Sequence, residues 1–228
     1  MTPNGPLQLY VLNGSRCSAE YREIYNEAYR HWKEIWVSTF KDLDGTDHIV
    51  SDNFTRQNEV LAVFSGVRCV AMVCHRQVDP GLLSTLDDSY FQQWPSENIC
   101  RLFSKVSKVY IGNQISVESD FRKINGTESM KDLLLWLSLR RLHDQKAELV
   151  LGAVRVDKSL DALFTSYGAT VIQTTEQHNV QVALVYFQTL EKPQDSTDFQ
   201  WKNRLYLGLK EDQISVQEAE HRSLKKVA

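Results

Sequence analysis

Apolar positions recur every three to four residues across Ser18–Phe40, with Tyr21, Ile24, Tyr25, Ala28, Trp32, Ile35 and Trp36 on one face. That period predicts a helix with Ser18 as its N-cap, and its aromatic face points to a core rather than a cofactor box. Lys41–Asn58 is polar and turn-rich and reads as a loop. Glu59–Phe64 and Arg68–His75 are apolar runs flanking Ser65-Gly66-Val67, the signature of a β-hairpin. Pro80-Gly81 breaks the chain, and Leu82–Trp94 reads as a short helical excursion ended by Pro95. Ile99–Tyr110 reads as two further strand pieces, and Asn113–Val117 as another.

The second half is more regular. A polar stretch from Glu118 leads into a helix over Glu128–His143, where Met130, Leu133, Leu134, Leu137 and Leu142 keep close to helical spacing. Glu148–Val154 is a continuous apolar run of the kind buried on both faces of a sheet. Lys158–Tyr167 is a second helix, stopped by Gly168 at C′. Ala169–Ile172 and Val180–Thr189 complete the strands. After Leu190 the composition turns to Glu, Lys, Gln, Asp and Ser. The expected organisation is an α+β domain over residues 1–190 and an appendage over 191–228, partly helical near Asp212–Leu224 and partly loose.

Composition narrows the possibilities. The 228 residues are 42% hydrophobic, with ten Gly and five Pro, which suits one globular domain and excludes collagen-like or linker-dominated chains. A net charge of -3 argues against a dedicated nucleic-acid binder, which needs a basic excess to displace counterions from phosphates. The four cysteines form no C-x-x-C pair, and the six histidines show no metal-ligand spacing, so neither a disulfide framework nor a metal site is expected. No signal-peptide pattern is evident. The longest apolar runs, such as Leu133–Leu137 and Val182–Phe187, fall far short of the ~20 residues that cross a bilayer. A cytoplasmic protein without a membrane span is the expectation; nothing in the sequence fixes the oligomeric state.

The central unit carries the candidate chemistry. A loop containing Gly126 opens directly into a helix, with Arg122 and Lys123 beside it. Free N–H groups and the helix dipole favour an anion there, such as a phosphate. Val117–Leu137 resembles the acyl-CoA-binding segment of the GNAT acyltransferase superfamily, in which a strand ending in Val precedes Gln/Arg-x-x-Gly-x-Gly/Ala and a helix. Arg122 matches, Gly126 keeps a glycine, and Asn125 and Thr127 stand where small residues are usual. The resemblance assigns Arg122, Lys123, Asn125, Gly126 and Thr127 to the phosphate of a coenzyme A or carrier-protein thioester. It implies a three-layer α/β/α fold with a central mixed, mostly antiparallel, splayed sheet. Leu160–Ala169 looks like the family's penultimate helix, with Phe164 where many members place a general-acid Tyr.

The N-terminal half narrows the resemblance. Asp44-Gly-Thr-Asp47, a hairpin ending in Arg76, and Glu97-Asn-Ile-Cys-Arg101 resemble elements of N-acyl-homoserine-lactone synthases and long-chain N-acyl amino acid synthases. Amide formation from a thioester needs a neutral amine, donors for the oxyanion and a path for the proton. The resemblance makes Glu97 the group that orients and deprotonates the amine. It gives the oxyanion to backbone N–H groups around Ser116 and Val117, and the acceptor's ammonium to Asp44 and Asp47. Arg76 and Arg101 suit an acceptor carboxylate and equally suit pairing with Asp44, Asp47 or Glu97. The implied activity is an N-acyltransferase moving a long-chain acyl group from acyl carrier protein or acyl-CoA to an amino acid or related amine. An acetyltransferase using acetyl-CoA and a noncatalytic acyl-thioester-binding module are the alternatives. Lys131, Arg140 and Arg141 offer a small basic face to an acidic carrier protein.

Overall fold

The computed structural model describes residues 6–124, 128–188 and 200–212. The chain begins with strand β1 (Leu7–Leu12), helix α1 (Arg22–Asp44) and a single turn α2 (Asp52–Thr55). The hairpin β2 (Glu59–Ser65) and β3 (Arg68–Val78) follows, then α3 (Leu83–Leu86), α4 (Ser96–Phe103) and β4 (Val109–Val117). A two-stranded ribbon, β5 (Lys123–Ile124) and β6 (Glu128–Ser129), leads into α5 (Met130–Asp144). Next come β7 (Leu149–Arg155), α6 (Leu160–Ser166), β8 (Thr170–Gln177), β9 (Val180–Gln188), α7 (Gln200–Leu207) and β10 (Lys210–Glu211).

Among the described residues eight strands form one sheet in the order β10-β1-β2-β3-β4-β7-β9-β8. The β1–β10 and β4–β7 pairs are parallel and the other neighbours antiparallel. Strand alternation builds two cores. Along β2, Val60, Ala62 and Phe64 meet Ala28 and Trp32 of α1, while Leu61 and Val63 meet Leu133, Leu134 and Leu137 of α5. On the α1 face, α4 packs Ile99, Leu102 and Phe103 against Ile111 and Leu151; on the α5 face, α6 packs Phe164 against Val150, Val185 and Phe187. The expected three-layer fold with a mixed, mostly antiparallel sheet is observed. No helix among the described residues is long and apolar enough to cross a membrane.

Several elements differ from the sequence-based expectation for identifiable reasons. The first helix runs to Asp44, where Gly45 takes φ 78° and its N–H caps Lys41. Ser18 is not its N-cap: the helix starts at Arg22 with Tyr21 in the cap position, Ser18 O accepts from Tyr21 N–H in the turn before it, and the Ser18 N–H donates to Asp212 Oδ2 at 2.8 Å. The expected strand pieces in Ile99–Tyr110 are corrected to helix α4 followed by the start of β4. Ile99, Leu102 and Phe103 lie at i, i+3 and i+4, a helical period that a short window hides. Strand β1 was not expected. Gly168 stops α6 as expected, in a Schellman arrangement: Ala169 N–H donates to Phe164 O (3.0 Å) and Gly168 N–H to Thr165 O (2.9 Å). Beyond residue 190, α7 docks on α5 through Lys202 Nζ–Asp132 Oδ2 (2.8 Å) and a hydrogen bond from Tyr206 Oη to Asp144 (2.8 Å), and β10 extends the main sheet. Asp212 closes that segment; the expected helical stretch beyond it lies outside the described residues.

Candidate functional site

The site is built where β4 and β7 part. They pair from Val109↔Leu149 to Gly112↔Gly152. Beyond that point β4 pairs only with β3, and Ala153–Arg155 of β7 only with β9. Gly152 keeps the junction tight, since a Cβ there would lie 3.3 Å from Val185. Just past the junction β4 bulges. Asn113 stands opposite Cys74 and Ser116 opposite Met72, so Gln114 and Ile115 together face Val73. Gln114 has φ 55°, a conformation that costs a non-glycine residue roughly 1 kcal/mol or more. Two neighbours on α1 hold it in place. Trp32 Nε1–H donates to Gln114 Oε1 at 2.7 Å, and buried His31 lies 3.0 Å from Ser116 Oγ. The other nitrogen of His31 meets Glu118 (3.1 Å), which in turn pairs with Arg68 (2.9 Å). Burial holds the His31 pKa below the usual imidazole value, while Glu118 opposes the shift.

On the α1 face the parting strands border a cavity of about 350 Å³. Arg56, Arg76, Arg155 and His178 line it, and no Asp or Glu does among the described residues. Each of these groups has a side-chain partner. Asp88 takes both Arg76 Nη atoms, and this pairing holds its carboxyl below the usual range. Asp157 accepts from Arg155 Nε at 2.9 Å and Nη2 at 2.6 Å. Asp44 lies 2.6 Å from His178 Nδ1, which lowers the Asp44 pKa. Arg56 donates to Asn53. His178 and Asn179 adopt φ 50° and 60°, a type I′ turn joining β8 and β9, which carries the imidazole to the cavity rim. Three buried polar atoms of cavity-lining residues, Trp36 Nε1, Tyr90 Oη and Asn113 Oδ1, have no hydrogen-bond partner among the described residues. Buried polar atoms left unpaired by the protein are those a ligand can satisfy.

On the α5 face, below the same junction, lies an apolar cavity of about 20 Å³. Gly112, Ile115, Leu135, Gly152 and Phe164 border it, and Ser138 supplies its one polar side chain. The residues singled out from sequence are therefore distributed unevenly. Arg76 lines the larger cavity, paired with Asp88 rather than with Asp44, Asp47 or Glu97. Asp44 reaches that cavity only through His178. The Asp47 side chain is 81% exposed and lies 3.4 Å from His48 Nδ1. Glu97 and Arg101 lie on exposed turns of α4 and line neither cavity. Ser116 and Val117 form the diverging arm of β4, with the Ser116 hydroxyl turned to His31. Arg122 and Lys123 are exposed just before α5, and Asn125, Gly126 and Thr127 lie outside the described residues. Phe164 faces the small cavity, and Tyr167 Oη donates instead to Asp132 at 2.9 Å. Sequence reasoning missed Arg56, Asn113, Arg155 and His178. Of these only His178-Asn179, a turn pair inside an alternating run, carries a local signal.

No family model matches the sequence, and no curated protein matches it significantly. Solved structures do match. The CoA-dependent acyl-homoserine lactone synthase BjaI, with SAM and isopentyl-CoA, superposes at a TM-score of 0.57 with 14% identity, over 91% of this chain and 94% of that one. FeeM, an N-acyl amino acid synthase from uncultured soil microbes, does so at 0.56 with 12% identity, over 82% and 92%. An agmatine N-acetyltransferase gives 0.55 with 13% identity, over 79% and 99%. The chain has the fold of these acyltransferases, the GNAT fold.

Proposed function

We propose that the protein is an N-acyltransferase that moves an acyl group from a coenzyme A or acyl-carrier-protein thioester to the amine of a small molecule bearing a carboxylate, an amino acid being the simplest case. The cavity beside the β4–β7 junction carries this reading: Arg56, Arg76, Arg155 and His178 line it, with Asp88, Asp157 and Asp44 paired to the last three, and its buried Trp36 Nε1, Tyr90 Oη and Asn113 Oδ1 have no partner among the described residues. Arg56, whose guanidinium meets the neutral Asn53, is the fork placed to take an acceptor carboxylate. The thioester lies at the junction, its phosphate end toward Arg122 and Lys123. The acceptor nitrogen attacks the thioester carbon, a C–N bond forms, and the C–S bond breaks. His178, oriented by Asp44, is placed to take the proton of the acceptor's ammonium. The fold shared with BjaI, an acyl-homoserine lactone synthase, and FeeM, an N-acyl amino acid synthase, supports the same class of reaction.

The tightness of the apolar cavity favours a second reading, transfer of a short acyl group from acetyl-CoA. Mass spectrometry of lipid extracts tests the first. Cells making the wild-type protein are expected to accumulate N-acylated amino acids, at least tenfold more than cells making the combined Arg56→Gln, Arg76→Gln and Arg155→Gln variant. A soluble protein that yields no such species, and is stabilised by acetyl-CoA as much as by long-chain acyl-CoA, supports the short-chain reading. Stabilisation by neither thioester rejects both.

A further inference from the structure

The one polar side chain of the small apolar cavity leads outward through a buried chain of titratable groups. Ser138 Oγ lies 2.7 Å from His75 Nε2. His75 is 0% exposed, and its Nδ1 faces Glu59 Oε2 at 3.6 Å. Glu59 accepts from Arg141 Nη2 (2.6 Å) and from Gln145 Nε2. Arg141 also reaches Glu211 at 2.7 Å. Glu59 then borders a third cavity, of about 240 Å³, whose rim includes exposed Asn58, Gln77 and Glu211. His75 thus faces Glu59 from β2 and Ser138 from α5, while Arg141 from α5 and Tyr110 from β4, which also borders the outer cavity, interact with Glu59.

We propose that Ser138, His75 and Glu59 form a proton path from that outer cavity to the sulfur of the thioester at the β4–β7 junction, with Ser138 as the group that touches the sulfur. The proposal rests on the acyl-transfer reading above and adds a catalytic residue to it. A hydroxyl held 2.7 Å from a buried imidazole costs a core a desolvated polar pair, which an Ala and an apolar residue would avoid. A route to water gives that pair a use: His75 Nδ1 has no hydrogen-bond partner among the described residues, and Glu59, 3.6 Å away, stands between it and the outer cavity. The inner cavity has room for one water-sized group, which a thiol end fits. When the C–S bond breaks, the thiolate accepts the Ser138 proton, Ser138 takes one from His75 Nε2, and His75 is recharged by water at Glu59. The Glu59 carboxylate faces the imidazole nitrogen through which the proton is replaced. Phe164, on the opposite wall, has no proton to give.

The test uses the full chain and coenzyme A itself, so turnover is not required. Ultraviolet absorbance follows ionisation of the bound thiol with pH in the wild type and in Ser138→Ala, Ser138→Thr and His75→Gln. A hydroxyl donating to sulfur favours the thiolate, so the thiol is expected to ionise at lower pH in the wild type and Ser138→Thr than in Ser138→Ala and His75→Gln. Coenzyme A affinity is expected to stay within about twofold in Ser138→Ala, while kcat for acyl transfer falls about a hundredfold at unchanged KM. Equal affinity with the same ionisation in wild type and Ser138→Ala overturns the path and leaves the acyl-transfer reading standing. Absence of coenzyme A binding by the wild type overturns both.

Discussion

Gly14→Ala is expected to lower the unfolding free energy by about 3 kcal/mol, the upper range for overpacking a tight site. A Cβ on Gly14 would stand 2.4 Å from Phe54 O and 2.7 Å from Gln57 O. Both are backbone atoms, so no side-chain rotation relieves the clash. The surroundings cannot yield easily. Phe54 is fully buried and packs edge-on against Tyr25 and Tyr29, while Gly14 N–H donates to Gln57 O at 3.1 Å and Tyr25 Oη donates to Gly14 O. Relief therefore displaces the Asn53–Gln57 turn, three of whose residues line the larger cavity. Urea unfolding checks the first effect, with Gly81→Ala as a control because its Cβ meets only the Asp79 side chain, at 3.2 Å. A Gly14→Ala midpoint indistinguishable from that of Gly81→Ala would rule this account out.

Glu59→Gln is expected to cost about 3 kcal/mol at neutral pH, and the deficit should shrink in acid. Burial alone would raise the Glu59 pKa, but His75 and Arg141 pull it down from 4.5 to about 2. A carboxyl whose folded pKa lies below its unfolded value stabilises the fold above the unfolded value and loses that contribution as pH falls through the folded one. The window here runs from about pH 4.5 down to about 2. The size follows from roughly 1.4 kcal/mol per pH unit across it, and removing one partner of a buried pair gives a similar figure. Denaturation of both proteins at pH 7 and at a series of acidic pH values checks it. A gap that stayed constant into strong acid would mean that the charge on Glu59 contributes nothing.

The sequence made the second half of the fold legible because each element there carries its own punctuation. The apolar stripe of α5, the continuous run of β7 and the Gly168 stop are local signals, and they were observed where the pattern placed them. Strand β1 is short and gains its identity from partners on both sides, β2 and β10, that are remote in sequence. α4 was misread because three apolar residues in eight satisfy strand and helix templates alike. The candidate site was less legible for a related reason. Arg76 was found, but Glu97 and Arg101 were matched by order in the chain, and an eight-residue helix turns such a pair to solvent. Arg56, Arg155 and His178 meet only because the β4–β7 junction and a hairpin turn bring three distant segments together. The buried Ser138–His75 pair is spread over strand and helix and has no spacing to detect.

The place of β10 bears on how the molecule assembles. The strand lies parallel to β1, with Tyr10 opposite Lys210, and a Gln8 side chain reaches Gly208 across 200 residues of sequence. Closing so long a loop is entropically expensive and contributes to slow folding. During synthesis β1 therefore presents an unpaired edge until nearly the whole sheet has been made. An edge left open in this way is a template for pairing with another chain. The interval between emergence of β1 and arrival of β10 is when a nascent copy is most prone to aggregate, and ribosome-bound intermediates lacking β10 are the species that a chaperone would need to shield.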